Sequence, residues 1–208
     1  MNPDDAIVDL YQRHADEFDR HRNRSLMEKA WLDRFVALVR RGGRVLDVGC
    51  GMGEPIGRYL LEAGLEVTGI DSSPALIDLC RTRLPAGEWI VGDMRALDLG
   101  RRFDGIVAWD SFFHLNRDAQ RRMFPRFAAH AAPGAVLMFT SGPRDGEAIG
   151  TWCGEPLYHA SLSPEEYQRR LRSSGFSLRF FLPNDPDCGE HTVWVATCGA
   201  ERGRDVAP

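Results

Sequence analysis

Three glycines within Gly49–Gly53 are the residues with the clearest chemical meaning in this sequence. They follow the short apolar run Arg44–Val48, and glycine lets a backbone adopt positive φ and approach a ligand closely. Main-chain N–H groups at the start of the following helix favour a carboxylate or a phosphate. Asp71 ends the next apolar run, 18 residues beyond Gly53, where an acid that binds ribose hydroxyls is expected. These features predict a site for an adenosine-containing ligand.

Three further carboxylates help to identify that ligand. A dinucleotide turn, G-x-G-x-x-G, needs its third glycine at the position of Glu54. Asp47 precedes the first glycine by two residues, and a carboxylate there suits a cationic ligand better than a pyrophosphate. Asp93 follows a third apolar run and can accept a hydrogen bond from an adenine amino group. The pattern favours S-adenosylmethionine (SAM), which carries a sulfonium and an α-ammonium, and leaves an NAD(P)-dependent oxidoreductase as the alternative.

The stretch from Val45 to Thr140 resembles the class I SAM-dependent methyltransferase family. Val45–Gly53 matches the first motif of that family, Asp71 its ribose acid, Gly92-Asp93 its adenine motif and Phe103–Asp110 its fourth-strand motif. The resemblance implies SAM as cofactor, S-adenosylhomocysteine as product, and SAM binding by Asp47, Gly49, Gly51, Asp71, Ser72, Asp93, Met94 and Trp109. Cys50 and Gly53 complete the predicted cofactor set, with turn geometry alone as their alternative role.

The methyl acceptor is expected beyond the segment Trp109–His114. Methyl transfer from a sulfonium is an in-line displacement, so the protein mainly supplies alignment and water exclusion. Phe112 and Phe113 could contact the substrate or exclude water. His114 is the candidate catalytic base because its ordinary pKa lies near neutrality. The alternative is that His114 only bonds the backbone at the start of the next helix.

Two other segments are expected to cover the acceptor. An N-terminal helix carries Tyr11, which we select as a functional contact, although such a helix could simply dock on the sheet. Gly142–Ser161 is predicted to be a long connection without regular structure, and such loops tend to be functional. Its predicted substrate contacts are Arg144, Trp152, Tyr158 and His159. His191 is expected to be a turn or strand residue, and no metal is expected because no histidine pair has local ligand spacing.

The order of the elements predicts how these residues are positioned. Apolar strands alternate with helical segments, which indicates an α/β, doubly wound, mostly parallel seven-stranded sheet. Only Pro183–His191 separates the last two strand-like runs, which is too short for a crossover helix and predicts an antiparallel C-terminal hairpin. We therefore expect a single domain over residues 1–200. Its predicted parts are a helical lid (1–41), a SAM-binding core (44–141), a substrate-covering insertion (142–162), a helix with the hairpin (163–198) and a tail (201–208).

Composition limits the class of partner. The 208 residues carry a net charge of -4, and no apolar run approaches the ~20 residues of a membrane helix. Enzymes that methylate exocyclic amines of bases or glutamine resemble one another in an Asn/Asp-Pro-Pro-Tyr/Phe motif, which this sequence lacks. This absence and the acidic composition argue against a nucleic-acid substrate and for a small molecule with an N, O or S nucleophile. The five scattered cysteines and the absence of an apolar signal core predict a cytoplasmic protein, as a monomer or homodimer, without membrane contact. A non-catalytic SAM-binding module is a further alternative.

Overall fold

The computed structural model describes residues 3–199, and the predicted tail, 201–208, lies outside them. The helices are α1 (Pro3–Arg13), α2 (Ala15–His21), α3 (Lys29–Leu38), α4 (Ile56–Glu62), α5 (Pro74–Arg83), α6 (Arg117–His130) and α7 (Pro164–Ser173). The strands are β1 (Arg44–Val48), β2 (Glu66–Asp71), β3 (Glu88–Val91), β4 (Phe103–Ala108), β5 (Ala131–Ser141), β6 (Gly146–Trp152), β7 (Glu155–Ser161), β8 (Phe176–Asp185) and β9 (His191–Cys198). None of the helices in this part of the chain is long and apolar enough to cross a membrane.

Seven strands form one sheet in the order β3-β2-β1-β4-β5-β9-β8. The first five are parallel, and β9 is antiparallel to both β5 and β8. The predicted fold class and C-terminal hairpin are thereby confirmed. The strand order reverses between β1 and β4, so a crevice opens beyond their carboxyl ends, where ligands bind in such sheets.

Helices cover both faces of the sheet, which explains why the central strands are apolar along nearly their whole length. One face packs on α6 and α7 around a cluster of aromatic side chains that includes Phe124 and Tyr167. The other face packs on α3, α4 and α5. Trp31, Leu32 and Phe35 of α3 are buried in that layer. Helix α3 therefore belongs to the core, although the lid was predicted to extend to residue 41.

The N-terminal helix expected to carry Tyr11 is divided into α1 and α2 by a break at His14. His14 has φ -110° and ψ 27°, outside the helical range. The break lets α2 turn toward the glycine-rich segment, so that the Phe18 ring lies 3.1 Å from where a Cβ on Gly51 would stand. The two short helices are thus placed above the crevice between β1 and β4.

The prediction that Gly142–Ser161 lacks regular structure is wrong. Strands β6 and β7 pair antiparallel over their whole length, from Gly146 opposite Ser161 to Trp152 opposite Glu155. Their two-residue turn is Cys153-Gly154, with φ of 50° and 77°. A two-residue hairpin turn with positive φ at both positions matches the twist of its strands. Cysteine is an unusual residue at the first of these positions, so the turn had no clear sequence signal.

Candidate functional site

A cavity of about 360 Å³ opens at the carboxyl ends of β1, β2 and β4, beneath α1, α2 and β7. Its volume lies within the range of ~300–1,000 Å³ that is typical of small-ligand sites. Nine of the ten predicted cofactor residues line it: Asp47, Gly49, Cys50, Gly51, Asp71, Ser72, Asp93, Met94 and Trp109. Of the predicted catalytic residues, both Tyr11 and His114 line it as well.

The glycines of the turn have different structural roles. Gly49 has φ 75°, and a Cβ there would lie 2.3 Å from the Cβ of Ser111. Gly51 has φ 55° and donates its N–H to Asp71 Oδ2 at 2.9 Å. Gly53 does not line the cavity, because a Cβ there would meet Leu84 at 2.8 Å in the core. The prediction for Gly53 is therefore corrected to turn geometry and packing.

Asp47 is a buried carboxyl at the cavity wall, only 3% exposed. Burial, reinforced by the charge of Asp71 and opposed by Arg22, raises the pKa of Asp47 to about 7. Within residues 3–199 its side chain forms neither a hydrogen bond nor an ion pair. A cation placed beside this carboxyl would favour its ionised form. The wall therefore fits a positively charged group of a ligand.

Asp71 is held in place by the backbone of two turns. Its Oδ1 accepts from Ser73 N at 2.9 Å, in addition to the bond from Gly51. Burial raises the pKa of Asp71 although these N–H donors act in the opposite direction. The Ser73 side chain accepts from Leu76 N and so caps α5. A carboxylate fixed in this way is preorganised to accept hydrogen bonds from hydroxyl groups of a ligand.

Asp93 begins a short 3-10 turn just beyond β3, the strand that pairs with β2. Its Oδ1 accepts from Arg95 N at 2.7 Å, and its Oδ2 forms an ion pair with the Arg95 guanidinium, also at 2.7 Å. Met94 follows on the cavity wall. These contacts hold the Asp93 carboxylate in place and leave its side chain partly exposed. The carboxylate already forms an ion pair with Arg95.

Tyr11 and His114 form a hydrogen-bonded pair at the cavity. His114 Nδ1 lies 2.9 Å from the carbonyl oxygen of Tyr158, which can only accept, so this nitrogen carries the proton. His114 Nε2 then accepts from the Tyr11 hydroxyl at 3.1 Å. Burial lowers the pKa of His114 to about 4, which corrects the expectation of a near-neutral value. The ring is neutral at pH 7, and both of its nitrogens already have partners.

A partly buried charged group was missed by the sequence prediction. Asp110 accepts from His191 Nε2 at 2.8 Å and from Arg22 at 3.4 Å. His191 Nδ1 lies 2.6 Å from the carbonyl oxygen of Cys188. Both nitrogens of His191 face groups that can only accept, so the ring is an imidazolium, and the bond to Asp110 raises its pKa. His191 begins β9 as expected, but it also lines the cavity.

Trp109 directly follows β4 and lies beside this charged group. Its indole ring stacks on the His191 ring, with centroids 5.5 Å apart. Trp109 is 3% exposed, and its Nε1–H has no acceptor among residues 3–199. An unmatched buried donor costs ~1–3 kcal/mol. An acceptor group of a bound ligand would remove that cost.

The predicted substrate contacts divide into two groups. Phe113 and His159 line the cavity. Phe112 is fully buried against Phe124 and Phe139 in the core, which corrects the role predicted for it.

Three contacts predicted in the insertion are also corrected, because Trp152, Tyr158 and Arg144 do not line the cavity. Trp152 packs on the outer side of Tyr11, with ring centroids 5.4 Å apart. Tyr158 is buried, and its carbonyl oxygen lies 2.9 Å from His114 Nδ1. Arg144 is exposed. The described residues contain no group of three or more side chains that could hold a metal ion.

Comparison with known proteins agrees with this geometry. A family model described as a methyltransferase domain matches residues 45–134, which include the glycine turn, Asp71, Asp93 and Trp109. This part of the chain is similar to methyltransferase domains. The match confirms the resemblance inferred from the sequence.

Two curated relatives show the range of the family. Over 132 residues, the chain is 33% identical to a dTDP-4-amino-2,3,4,6-tetradeoxy-D-glucose N,N-dimethyltransferase of Saccharopolyspora spinosa, covering 60% of this chain and 53% of the relative. Over 147 residues it is 31% identical to a magnesium-protoporphyrin O-methyltransferase of Rhodobacter capsulatus, covering 66% and 64%. The chain thus spans between about half and two thirds of the length of these relatives.

Solved methyltransferase structures share the fold of this chain at low sequence identity. A 1,6-didemethyltoxoflavin-N1-methyltransferase of Burkholderia thailandensis, with its substrate and S-adenosylhomocysteine bound, has a TM-score of 0.72 at 23% identity, covering 93% of this chain and 87% of that one. A magnesium protoporphyrin IX methyltransferase of Synechocystis with bound SAM has a TM-score of 0.72 at 17% identity, covering 96% and 98%. SAM is the methyl donor of this family.

Proposed function

We propose that this protein binds SAM in the cavity and transfers its methyl group to a nitrogen, oxygen or sulfur atom of a small molecule. The observation that carries the proposal is the buried carboxyl of Asp47, which has no hydrogen-bond or ion-pair partner among the described residues and faces the same cavity as Asp71. SAM supplies an electrophilic methyl group on a sulfonium, together with a cationic α-ammonium. The acidic wall and the glycine turn fit such a ligand.

Each part of the ligand has candidate residues on the cavity wall. Asp47 would accept a hydrogen bond from the α-ammonium and Asp71 would accept hydrogen bonds from the ribose hydroxyls. Asp93 and Met94 would contact the adenine. For the α-carboxylate we propose Arg22 together with Trp109 Nε1–H.

The contacts that Arg22 makes support this assignment. Arg22 lies 3.4 Å from Asp110 and 3.9 Å from Glu28, longer than the ~2.7–2.9 Å of strong charge-assisted bonds. Its N–H groups can therefore turn toward a ligand carboxylate.

Two elements exclude water from the reacting atoms in this proposal. Helix α1 and the hairpin of β6 and β7 meet above the cavity, as a lid and a substrate-covering insertion would. Arg13 donates two bonds to the Glu155 carboxylate, at 2.6 and 2.8 Å, and His14 Nε2 lies 2.7 Å from the same group. A covered site strengthens electrostatic interactions within it and suits a small acceptor. Cytoplasmic location and a monomeric or homodimeric state stay predictions.

Ligand-dependent thermal denaturation tests the cofactor. SAM and S-adenosylhomocysteine should each raise the melting temperature, because a ligand at 100 times its Kd stabilises the folded state by ~2.7 kcal/mol. Stabilisation by NADH alone would refute the proposal and support the oxidoreductase alternative. An acceptor screen for S-adenosylhomocysteine release tests the reaction. If SAM binds but no acceptor leads to release of S-adenosylhomocysteine, a non-catalytic SAM-binding module would be favoured.

A further inference from the structure

Three rings, those of Phe113, His114 and His159, form a continuous part of the cavity wall. The centroids of Phe113 and His114 are 4.9 Å apart, those of Phe113 and His159 5.2 Å, and those of His114 and His159 4.8 Å. All three side chains line the cavity, which also contacts the aliphatic side chains of Ile7, Val8, Leu115 and Leu157. Rings at such separations pack on another ring or on an apolar surface.

The positive charges at the cavity are already matched by carboxylates. Arg95 pairs with Asp93 at 2.7 Å, and His191 pairs with Asp110 at 2.8 Å. Arg22 faces the Asp110 carboxylate as well, and in the proposed function it serves the cofactor. His114 and His159 are neutral because burial lowers the pKa of each ring. An anionic acceptor would therefore lose its hydration at this wall without gaining an opposite charge.

The two histidines of the wall differ in their free nitrogens. His114 has none, since Tyr158 and Tyr11 occupy both. The backbone carbonyl of Leu157 lies near the His159 ring and favours its protonated form. At least one nitrogen of His159 has no hydrogen-bond partner in the described part of the chain. The side chain is half-buried, so a proton taken up there can pass to water.

We propose, building on the methyltransferase function above, that the acceptor is an uncharged planar ring bearing a hydroxyl or a ring N–H, and that His159 receives its proton. The acceptor oxygen or nitrogen forms a bond to the methyl carbon as the carbon–sulfur bond breaks, and the bonding pair stays on sulfur. The acceptor O–H or N–H bond breaks, its proton moves to the free nitrogen of His159, and the imidazolium then releases it to water. His114 acts as a positioning residue that orients the Tyr11 hydroxyl.

A panel of matched acceptors tests the substrate class. The uncharged probes are 2-naphthol, 7-hydroxycoumarin, indole and benzimidazole, and each is paired with a ring-carboxylated counterpart, with dTDP as a separate anionic probe. We expect at least one uncharged ring to bind the S-adenosylhomocysteine complex and to be methylated, and its carboxylated counterpart to be at least ~10-fold poorer in kcat/KM, about 1.4 kcal/mol. Preference for the carboxylated probes or dTDP would overturn the inference, as would failure of every uncharged ring to bind or react.

A substitution at His159 tests the proton acceptor. His159→Gln should lower kcat for the best acceptor by ~10²–10⁴-fold, the usual contribution of a positioned base. The affinity for S-adenosylhomocysteine should stay within about twofold, because His159 is not among the residues proposed to bind it. The loss should be smaller for a fluorinated derivative of the same acceptor that stays un-ionised at the assay pH, since a more acidic O–H or N–H depends less on a base. Equal losses for both acceptors would assign His159 a merely structural role.

A control variant and a binding measurement separate this inference from the proposed function. His21→Gln alters an exposed histidine at the end of α2 and should leave kcat and KM unchanged. If the wild-type protein fails to bind S-adenosylhomocysteine in calorimetry, the proposed function itself is wrong. If it binds this ligand but prefers anionic acceptors, only the inference about the acceptor is wrong.

Discussion

Replacing Asp47 with asparagine should make the free protein more stable while weakening cofactor binding. Burial raises the pKa of Asp47 from the ordinary 3.8 to about 7. The folded chain therefore holds a proton between these pH values that the unfolded chain releases, and stability falls as the pH rises through this window. The complete fall corresponds to about 4 kcal/mol, at ~1.36 kcal/mol for each tenfold change in proton affinity.

Urea denaturation at pH 5 and pH 8 measures this effect. Between these values the wild type should lose about 2–3 kcal/mol relative to Asp47→Asn, because most of the deprotonation of Asp47 falls between them. Comparing two pH values cancels any constant cost of the buried amide. An equal response of both proteins to pH would refute the explanation. Asp33→Asn is a suitable control, since this exposed carboxyl pairs with Lys29 and its pKa is lowered, so the variant should show no such gain.

Titration of the same two proteins with S-adenosylhomocysteine measures the functional cost. Its α-ammonium should bind the ionised carboxyl of Asp47, so wild-type affinity should be about tenfold higher at pH 8 than at pH 6, given a pKa near 7. Affinity should be nearly independent of pH in Asp47→Asn and at least ~10-fold weaker at pH 8, the loss expected for a hydrogen bond to a charged group. A variant that binds as tightly as the wild type at pH 8 would show that Asp47 does not contact the ligand.

Three other substitutions test separate parts of the site. Asp71→Ala should weaken S-adenosylhomocysteine binding by ~10–100-fold in calorimetry, because the ribose hydroxyls lose a charged acceptor; unchanged affinity would contradict its placement. Gly49→Ala should destabilise the protein by ~2–4 kcal/mol in urea, since its Cβ would lie 2.3 Å from the Cβ of Ser111 at a φ of 75°; a fully stable variant would argue against this turn. Tyr11→Phe removes the hydroxyl bonded to His114 and should lower kcat by ~2–10-fold with little change in cofactor affinity; an unchanged rate of S-adenosylhomocysteine release would remove Tyr11 from the proposed mechanism.

Gly134→Ala is the matched control for the glycine substitution. Gly134 also has positive φ, 81°, but a Cβ there would meet no atom within 4 Å. It isolates the backbone strain, ~1–2 kcal/mol, from the clash with Ser111. A loss as large as that of Gly49→Ala would show that strain alone explains both variants.

The sequence determined the features that depend on neighbouring residues along the chain. The glycine turn, the acids at the strand ends and the short link before β9 are local patterns, and each is present in the structure. Asp47 could be selected from its spacing to Gly49 alone. The raised pKa of Asp47 could not be predicted in this way, because the desolvation that raises it comes from the packing of the whole cavity wall.

The tertiary structure decided which of the candidate side chains meet. Phe112 and Phe113 are neighbours in one 3-10 turn, yet the first packs in the core and the second lines the cavity. Asp110 and His191 are 81 residues apart and form a hydrogen bond that no local sequence pattern predicts. The position of the proton on His114 depends on Tyr11 and Tyr158, which the tertiary structure brings to the two nitrogens of its ring. Burial, ionisation and long-range pairing arise from the packing of distant segments, so a single sequence without its fold cannot supply them.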